Sequence, residues 1–433
     1  MKIRKLELQN FKCFEQKTFE FSDRFNVLIG DNATGKTAIL DALAIGLGSF
    51  FLGIDNISSR GIRANEIRQI VRTEGETSTR ESILPVIISC HGCFENNNEI
   101  LWTRERKTYK GVTTSIEAKS ITTYASELQK KVRFEEQNRD EIILPIISYY
   151  GTGRLWIQKQ KKHETLSPGS RFRGYKDCLT NSHELQKIIK WFKTWELASL
   201  QKGKPLNTLS GVKKAIENCM EDWKDVRYDV LNDEFVVTAK DGRTLPFYML
   251  SDGVRNMIGI VADISYRCVT LNPQLEAEAA KYTPGIVLID EIDLHLHPKW
   301  QRRIIENLNN TFPNIQFVVT THSPFIIQSL QNHDKLINLN SSSPSEYEGR
   351  SIEDIVEDIM GIELPQYSRR KLKMFNAAEE YYKVLEEAEN IKEYNQQELE
   401  RLKQKLDEVS MPFSDNPAYH AFLKMERLAR GIY

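Results

Sequence analysis

The stretch GDNATGKT, residues 30–37, places Gly30, four residues, then Gly35, Lys36 and Thr37. This is the P-loop spacing, whose glycines let backbone N–H groups turn toward an anion. The chemistry it suits is the holding of a phosphate chain. Lys36 would reach β- and γ-phosphates, and Thr37 would ligate Mg²⁺. FNVLI before the loop reads as a buried strand. Ala38, Ile39, Leu40, Ala42 and Leu43 after it recur at helical spacing. A helix opening at the loop adds a partial positive charge where the anion would sit.

Three further stretches carry matching chemistry. GIVLIDEID ends an apolar run in Asp290 and Glu291, and ligands gather at the carboxyl ends of such strands. Asp290 would order the Mg²⁺ water shell and Glu291 would act as general base on an attacking water. QFVVTTHSP puts His322 between a buried strand and the Pro324 break, where it would sense a γ-phosphate. MLSDGVRNMIGIVADI offers Ser251 and Asp252 as N-cap types, with Gly253 permitting close backbone approach. That is a second anion-friendly helix start.

These residues need elements to position them. KIRKLELQ alternates as a strand, a second strand covers about 17–21, and FNVLI is the third. Residues 55–83 are polar with little periodicity and read as an exposed excursion. LPVIISCHGCF and EILWTRER form a hairpin. A polar stretch follows from about 107 to 140, then the buried strand EIILPIISYY. From about 155 to 225 the pattern is helical, with ELQKIIKWFKTWELASL amphipathic. EFVVTAKDGRTLPF is a hairpin turned at Asp241-Gly242. A helix (254–268), a strand (285–290), a helix (about 299–310) and a strand (316–321) complete the pattern. Beyond 345 the expectation is helical: a long charged helix over about 374–409 with a heptad-like apolar repeat, then a last short helix. The tail has two readings, a solvated arm or a docking surface.

The chain has 433 residues, 27% charged and 40% apolar, with net charge -1. No basic excess advertises nucleic acid. No apolar run approaches 18 residues and no signal peptide is seen, so no membrane is expected and the cytoplasm is the expected compartment. Six cysteines are scattered, and Cys90-His91-Gly92-Cys93 is the only close pair. With no second pair at ligand spacing, incidental thiols in a hairpin are expected.

Taken in order, these stretches resemble the ABC-type ATPase heads of the RecF and SMC class. GDNATGKT resembles Walker A, LSDGV the signature loop and IVLIDE Walker B. Asp293 falls at the D-loop aspartate and His322 at the switch position. The opening KIRKLELQNFKCF is similar too, and the resemblance implies that Lys12 lies near the nucleotide. It implies ATP and Mg²⁺, bound by Gly30, Asn32, Gly35, Lys36, Thr37, Ala38 and Lys12. Thr37 and Asp290 would serve the metal, and Glu291, His322 and Lys36 the hydrolysis. It also implies a homo-oligomer, at least a head-to-tail dimer, in which Ser251 and Gly253 of one subunit complete the other's site. Asp252 stands where a second glycine is usual. No clear Q-loop glutamine appears: Gln158, Gln160 or Arg154 could serve.

The implied fold class is α/β: an ABC-type head with a mixed sheet, a P-loop parallel core and an antiparallel subdomain, plus a helical lobe insertion and a helical tail. The boundaries expected are 1–154, 155–230, 231–345 and 346–433. The short insertion excludes an SMC-like rod. YYGTGRLW, LIDEIDLHLHP, TTHSPFII and SDNPAYHAFLKMERL resemble the stand-alone ATPases of Septu-type antiphage systems. That resemblance implies a partner HNH-type nuclease subunit. The alternatives are a RecF-like repair ATPase binding DNA, for which Arg171, Arg173 and Lys176 offer a basic strip, and an ATP-gated scaffold with little turnover.

Overall fold

The computed structural model describes residues 1–74, 77–94, 99–134, 141–155, 170–180, 185–220, 222–341, 347, 349–362, 364–373 and 375–376, with single positions beyond. The chain divides into Met1–Ile352 and Glu353–Tyr433. Most of the charged helix expected over 374–409, and the short helix after it, lie outside the described residues.

The first unit runs β1 (Lys2–Phe11), β2 (Phe14–Glu20), β3 (Phe25–Ile29), α1 (Lys36–Phe51), β4 (Gln69–Glu74), β5 (Thr77–Ser82), β6 (Val86–Cys93), β7 (Glu99–Arg106), α2 (Lys119–Phe134) and β8 (Ile146–Tyr150). It continues through α3 (Leu185–Lys202), α4 (Asn207–Cys219), β9 (Trp223–Asp229), β10 (Glu234–Ala239), β11 (Thr244–Pro246), α5 (Asp252–Leu271) and α6 (Ala279–Tyr282). Then come β12 (Gly285–Ile289), α7 (Pro298–Gln301), α8 (Ile304–Thr311), β13 (Ile315–Thr320), α9 (Pro324–Gln328) and β14 (Lys335–Asn338).

The apolar runs build a five-stranded sheet, ordered β14-β3-β13-β12-β8. Every neighbouring pair is parallel. All residues of β3, β8, β12 and β13 are buried, as a sheet covered on both faces requires. Phe25 stacks on Phe317 across it, ring centroids 5.2 Å apart. The alternating segments build a second sheet, β2-β1-β6-β7, antiparallel throughout.

Helix α1 packs against both sheets. Its sequence is apolar on all sides, and every residue but Thr37 is buried, the expected state of such a helix. At Gly46 a Cβ would collide with Cys90 Sγ, and Trp102 Nε1 donates to the Gly46 carbonyl at 2.9 Å. Cys90 is therefore packing material, and all six cysteines are free. Among the described residues no His, Cys, Asp and Glu group could hold a metal by itself, and no helix is long and apolar enough to cross a membrane.

Three expectations are corrected. Residues 55–83 are no featureless excursion. Arg60, Ile62, Glu66 and Ile67 are buried or nearly so, and β4 and β5 pair as an antiparallel ribbon. Polar β-branched residues pair through their backbone without an apolar period. The stretch 107–140 contains α2, whose buried Ile121, Ala125, Leu128 and Val132 repeat at helical spacing beneath a charged face. The helical pattern expected to 225 stops at Cys219, and β9 pairs with β10. Val226 and Tyr228 of β9 alternate inward.

The basic strip offered by Arg171, Arg173 and Lys176 is corrected at Arg171 alone, since Arg173 is half-buried and Lys176 exposed. Arg171 is buried and donates to the carbonyls of Leu271 at 2.6 Å and Ile142 at 2.5 Å. Beside it, Arg267 Nε and Tyr150 Oη both donate to Asp263, at 2.7 and 2.8 Å. Arg267 also donates to the Gly174 carbonyl at 2.7 Å. This buried network fastens residues 170–176 to α5 and β8. Burial, with Asp263 beside it, pushes the Tyr150 phenol well above its ordinary pKa.

Candidate functional site

The P-loop joins β3 to α1, at the carboxyl edge of the parallel sheet where β12 also ends. Gly35 holds φ +103 and Ala33 φ +69, left-handed geometry that turns successive amides the same way. Gly35 caps α1, with no side chain bonded to the first turn. A Cβ at Gly35 would meet Phe14 Cζ at 2.5 Å and Cys13 Sγ at 2.7 Å. The turn after β1, carrying Lys12, therefore lies directly against the loop. Asn32 is exposed and Ala38 is buried at the start of α1.

Lys36 Nζ donates to the carbonyls of Gly30 at 2.7 Å and Asp31 at 2.9 Å. Burial pushes its ammonium below the ordinary pKa, against the pull of Asp290, Asp31 and Glu291. Thr37 Oγ1 lies 3.0 and 3.2 Å from the two carboxylate oxygens of Asp290. Asp290 is 3% exposed. A hydroxyl beside a buried carboxylate is a hard oxygen donor set and fits Mg²⁺.

Thr320, at the end of β13, joins the two acidic residues. Its hydroxyl donates to Asp290 Oδ1 at 2.6 Å and accepts from the Glu291 amide at 2.7 Å. Glu291 turns at φ +49, leaving the strand and placing its half-buried side chain at the sheet edge. Thr321 then donates to Asp293 Oδ1 at 2.5 Å. His322 is exposed on the same segment.

Ser251 and Gly253 occupy a different place. Ser251 precedes α5, but its side chain makes no cap hydrogen bond, contrary to its reading as an N-cap type. Asp252 pairs instead with Arg255. Gly253 is buried where a Cβ would run into the His295 carbonyl. Gly253 is thus set against the segment following Glu291, and Ser251 is exposed just before it. Gln158, Gln160 and the Arg154 side chain lie outside the described residues.

Sequence reasoning missed two parts. Thr320 could have been noticed as a polar end to a buried strand at the sheet's carboxyl edge. The other is a chain of buried charges. Lys12 pairs with Asp41, one turn into α1 from Thr37. Asp41 also accepts from Arg60 at 2.7 Å, and Arg60 reaches Glu66 at 3.0 Å. Burial opposes the Arg60 charge, yet Asp41 and Glu66 outweigh it and hold its pKa above the ordinary value. No motif flags residues so far apart in sequence.

A family profile described as AAA domain matches residues 5–224, half of the chain. The chain belongs to the AAA-domain family. A second AAA-domain profile matches residues 127–328, so the two together run through β13. The AAA-domain protein has relatives that are named as ATPases. It is 27% identical to the "Retron Vc95 probable ATPase" of Vibrio cholerae serotype O1 biovar El Tor, over 78% of this chain and 74% of that protein. It is 22% identical to "Septu protein PtuA" of Bacillus thuringiensis, over 89% of each chain. Among solved structures, an SMC head domain from Thermotoga maritima aligns over 78% of this chain and 94% of that one, with 15% identity and TM-score 0.42.

Proposed function

We propose that this protein binds and hydrolyses Mg-ATP at the P-loop, in a head-to-tail dimer, and uses the nucleotide state to control a partner nuclease of HNH type in antiphage defence. The observation that carries the hydrolysis reading is the linked set Thr37, Asp290, Thr320 and Glu291 beside the loop. Lys36 and the loop amides bind the phosphate chain, and Thr37 and Asp290 hold the metal. Bound there, Mg²⁺ would neutralise charge on the phosphate oxygens. Glu291 accepts the proton of the attacking water, and His322 orients the γ-phosphate. Lys12, in the turn set against the loop, would approach the nucleotide. Ser251 and Gly253 serve the neighbour's nucleotide. The defence role is supported by kinship to the Septu and retron ATPases across most of the chain. Action in the cytoplasm belongs to the same proposal.

The test is Glu291→Gln. Retained affinity for a fluorescent ATP with turnover reduced by about 10²–10⁴ is expected from loss of a general base. Unchanged phosphate release would overturn the assignment. Affinity capture of the tagged protein from its host tests the partner: a stoichiometric nuclease is expected, and recombination proteins would replace the defence reading with repair.

A further inference from the structure

Past Asp293 the chain reads LHLHPKWQRRII, residues 294–305, with two histidines, one lysine, two arginines and no carboxylate. Asp293 and Glu306 bound this stretch, and within it the positive charge is unopposed. The structure folds it into α7 and the turn before α8. Lys299, Arg302 and Arg303 then line an open cavity of ≈ 420 Å³ with Pro298 and Phe325. Lys299 and Arg303 also border a smaller hollow with Trp300, Asn307 and the acidic Asp222. The Arg302 guanidinium carbon lies 5.1 Å from the Phe325 ring centroid. Lys299 and Arg302 are exposed, and neither has an ion-pair partner among the described residues. Cations gathered this closely repel one another until an anion joins them.

We propose that this cavity is a second phosphate site, outside the P-loop, taking the phosphate of a nucleotide unit carried by a free nucleotide or by a single nucleic-acid strand. The Arg302 fork suits a phosphate bidentately, and Lys299 adds a point charge. Phe325 in the cavity, with the Arg302 guanidinium over its ring, and Trp300 in the smaller hollow offer aromatic faces for a base. A carboxylate side chain has no such face, so an acidic peptide fits less well.

The position gives the site a consequence, which rests on the hydrolysis proposed above. Its walls continue directly into the segments carrying Glu291 and His322. Ser323 Oγ donates to Gln301 Oε1 at 2.6 Å, and Thr321 ties the same segment to Asp293. An occupant that draws Lys299, Arg302 and Phe325 together therefore bears on the spacing of Glu291 and His322, so its presence changes turnover.

The experiment compares the full chain with Lys299→Gln/Arg302→Gln, using fluorescein-labelled oligothymidylate across a salt series and mant-ATP for stoichiometry. At least tenfold weaker oligothymidylate binding is expected, with the salt slope reduced by about 2. That outcome assigns a strand. If wild type ignores the oligonucleotide but binds a second equivalent of mant-ATP that the variant loses, the occupant is a free nucleotide. Arg302→Lys, which keeps the charge and loses the fork, should retain part of the affinity in either case. Identical behaviour of wild type and the double variant overturns the proposal. So does displacement of the oligonucleotide by polyglutamate at equal charge concentration, which assigns the cavity to a protein partner. Phosphate release by the wild type reports separately on the hydrolysis reading, and mant-ATP binding at the P-loop should persist in every variant because Lys36 is untouched.

Discussion

Thr320 serves two residues with one hydroxyl. It donates to Asp290 and accepts from the Glu291 amide, so the carboxylate proposed for the metal and the backbone of the proposed base are held by the same atom. Thr320→Val keeps the shape and β-branching but leaves both groups short of a partner, at about 1–3 kcal/mol. Turnover should fall at least tenfold at saturating ATP while circular dichroism stays unchanged, and steady-state phosphate release checks it. Asp41 bears a different burden, since it lies between Lys12 and Arg60 and is itself buried. Asp41→Asn leaves Arg60 leaning on Glu66 alone. Breaking a buried pair in this way costs about 3–5 kcal/mol. A lowered denaturation midpoint is expected, with the loss of ATP affinity following the loss of fold.

At the scale of elements, the start of α5 packs directly against the segment after β12. Gly253 sits where a Cβ would collide with the His295 carbonyl, and Asn256 Nδ2 donates to the Leu294 carbonyl at 3.4 Å. Gly253→Ala forces the two apart. Affinity for mant-ATP should persist in the isolated protein, whereas turnover should drop, because the displaced segment leads back to Glu291. Equal turnover in the variant would show that this packing is not used. These elements were legible to different degrees. Strands buried on both faces announce themselves as apolar runs, so β3, β12 and β13 could be read from composition. Glycine and charged residues at their ends marked the loops. Helix α2 was hidden because Lys130, Lys131 and Glu127 on its outer face dominate its composition. The ribbon β4–β5 was hidden because its TSTRES strand has no buried side to give a period. The chain of charges from Lys12 to Glu66 could not be read, since only tertiary folding brings Lys12, Asp41 and Arg60 together.

At the scale of the whole molecule, the site residues all fall within Met1–Ile352. A chain ending at residue 352 should bind mant-ATP with the affinity of the full protein, and fluorescence titration checks it. A second test addresses assembly. If Ser251 serves the neighbour's nucleotide, Lys36→Ala and Ser251→Arg proteins, each inactive alone, should recover part of the turnover when mixed. Action within one subunit predicts no recovery.

The strand that leads into the P-loop has its partners far along the chain. β3 ends at Ile29, yet its two neighbours are β13 at Ile315–Thr320 and β14 at Lys335–Asn338. During synthesis the loop therefore emerges early and waits. At ribosomal speeds of about 5–20 residues per second the wait is roughly a quarter of a minute to a minute. A nascent chain cut short before β13 has the motif but not the sheet that shapes it. Competence to hold a nucleotide arrives only when nearly the whole first unit has left the ribosome, and truncated products of a damaged message stay inert.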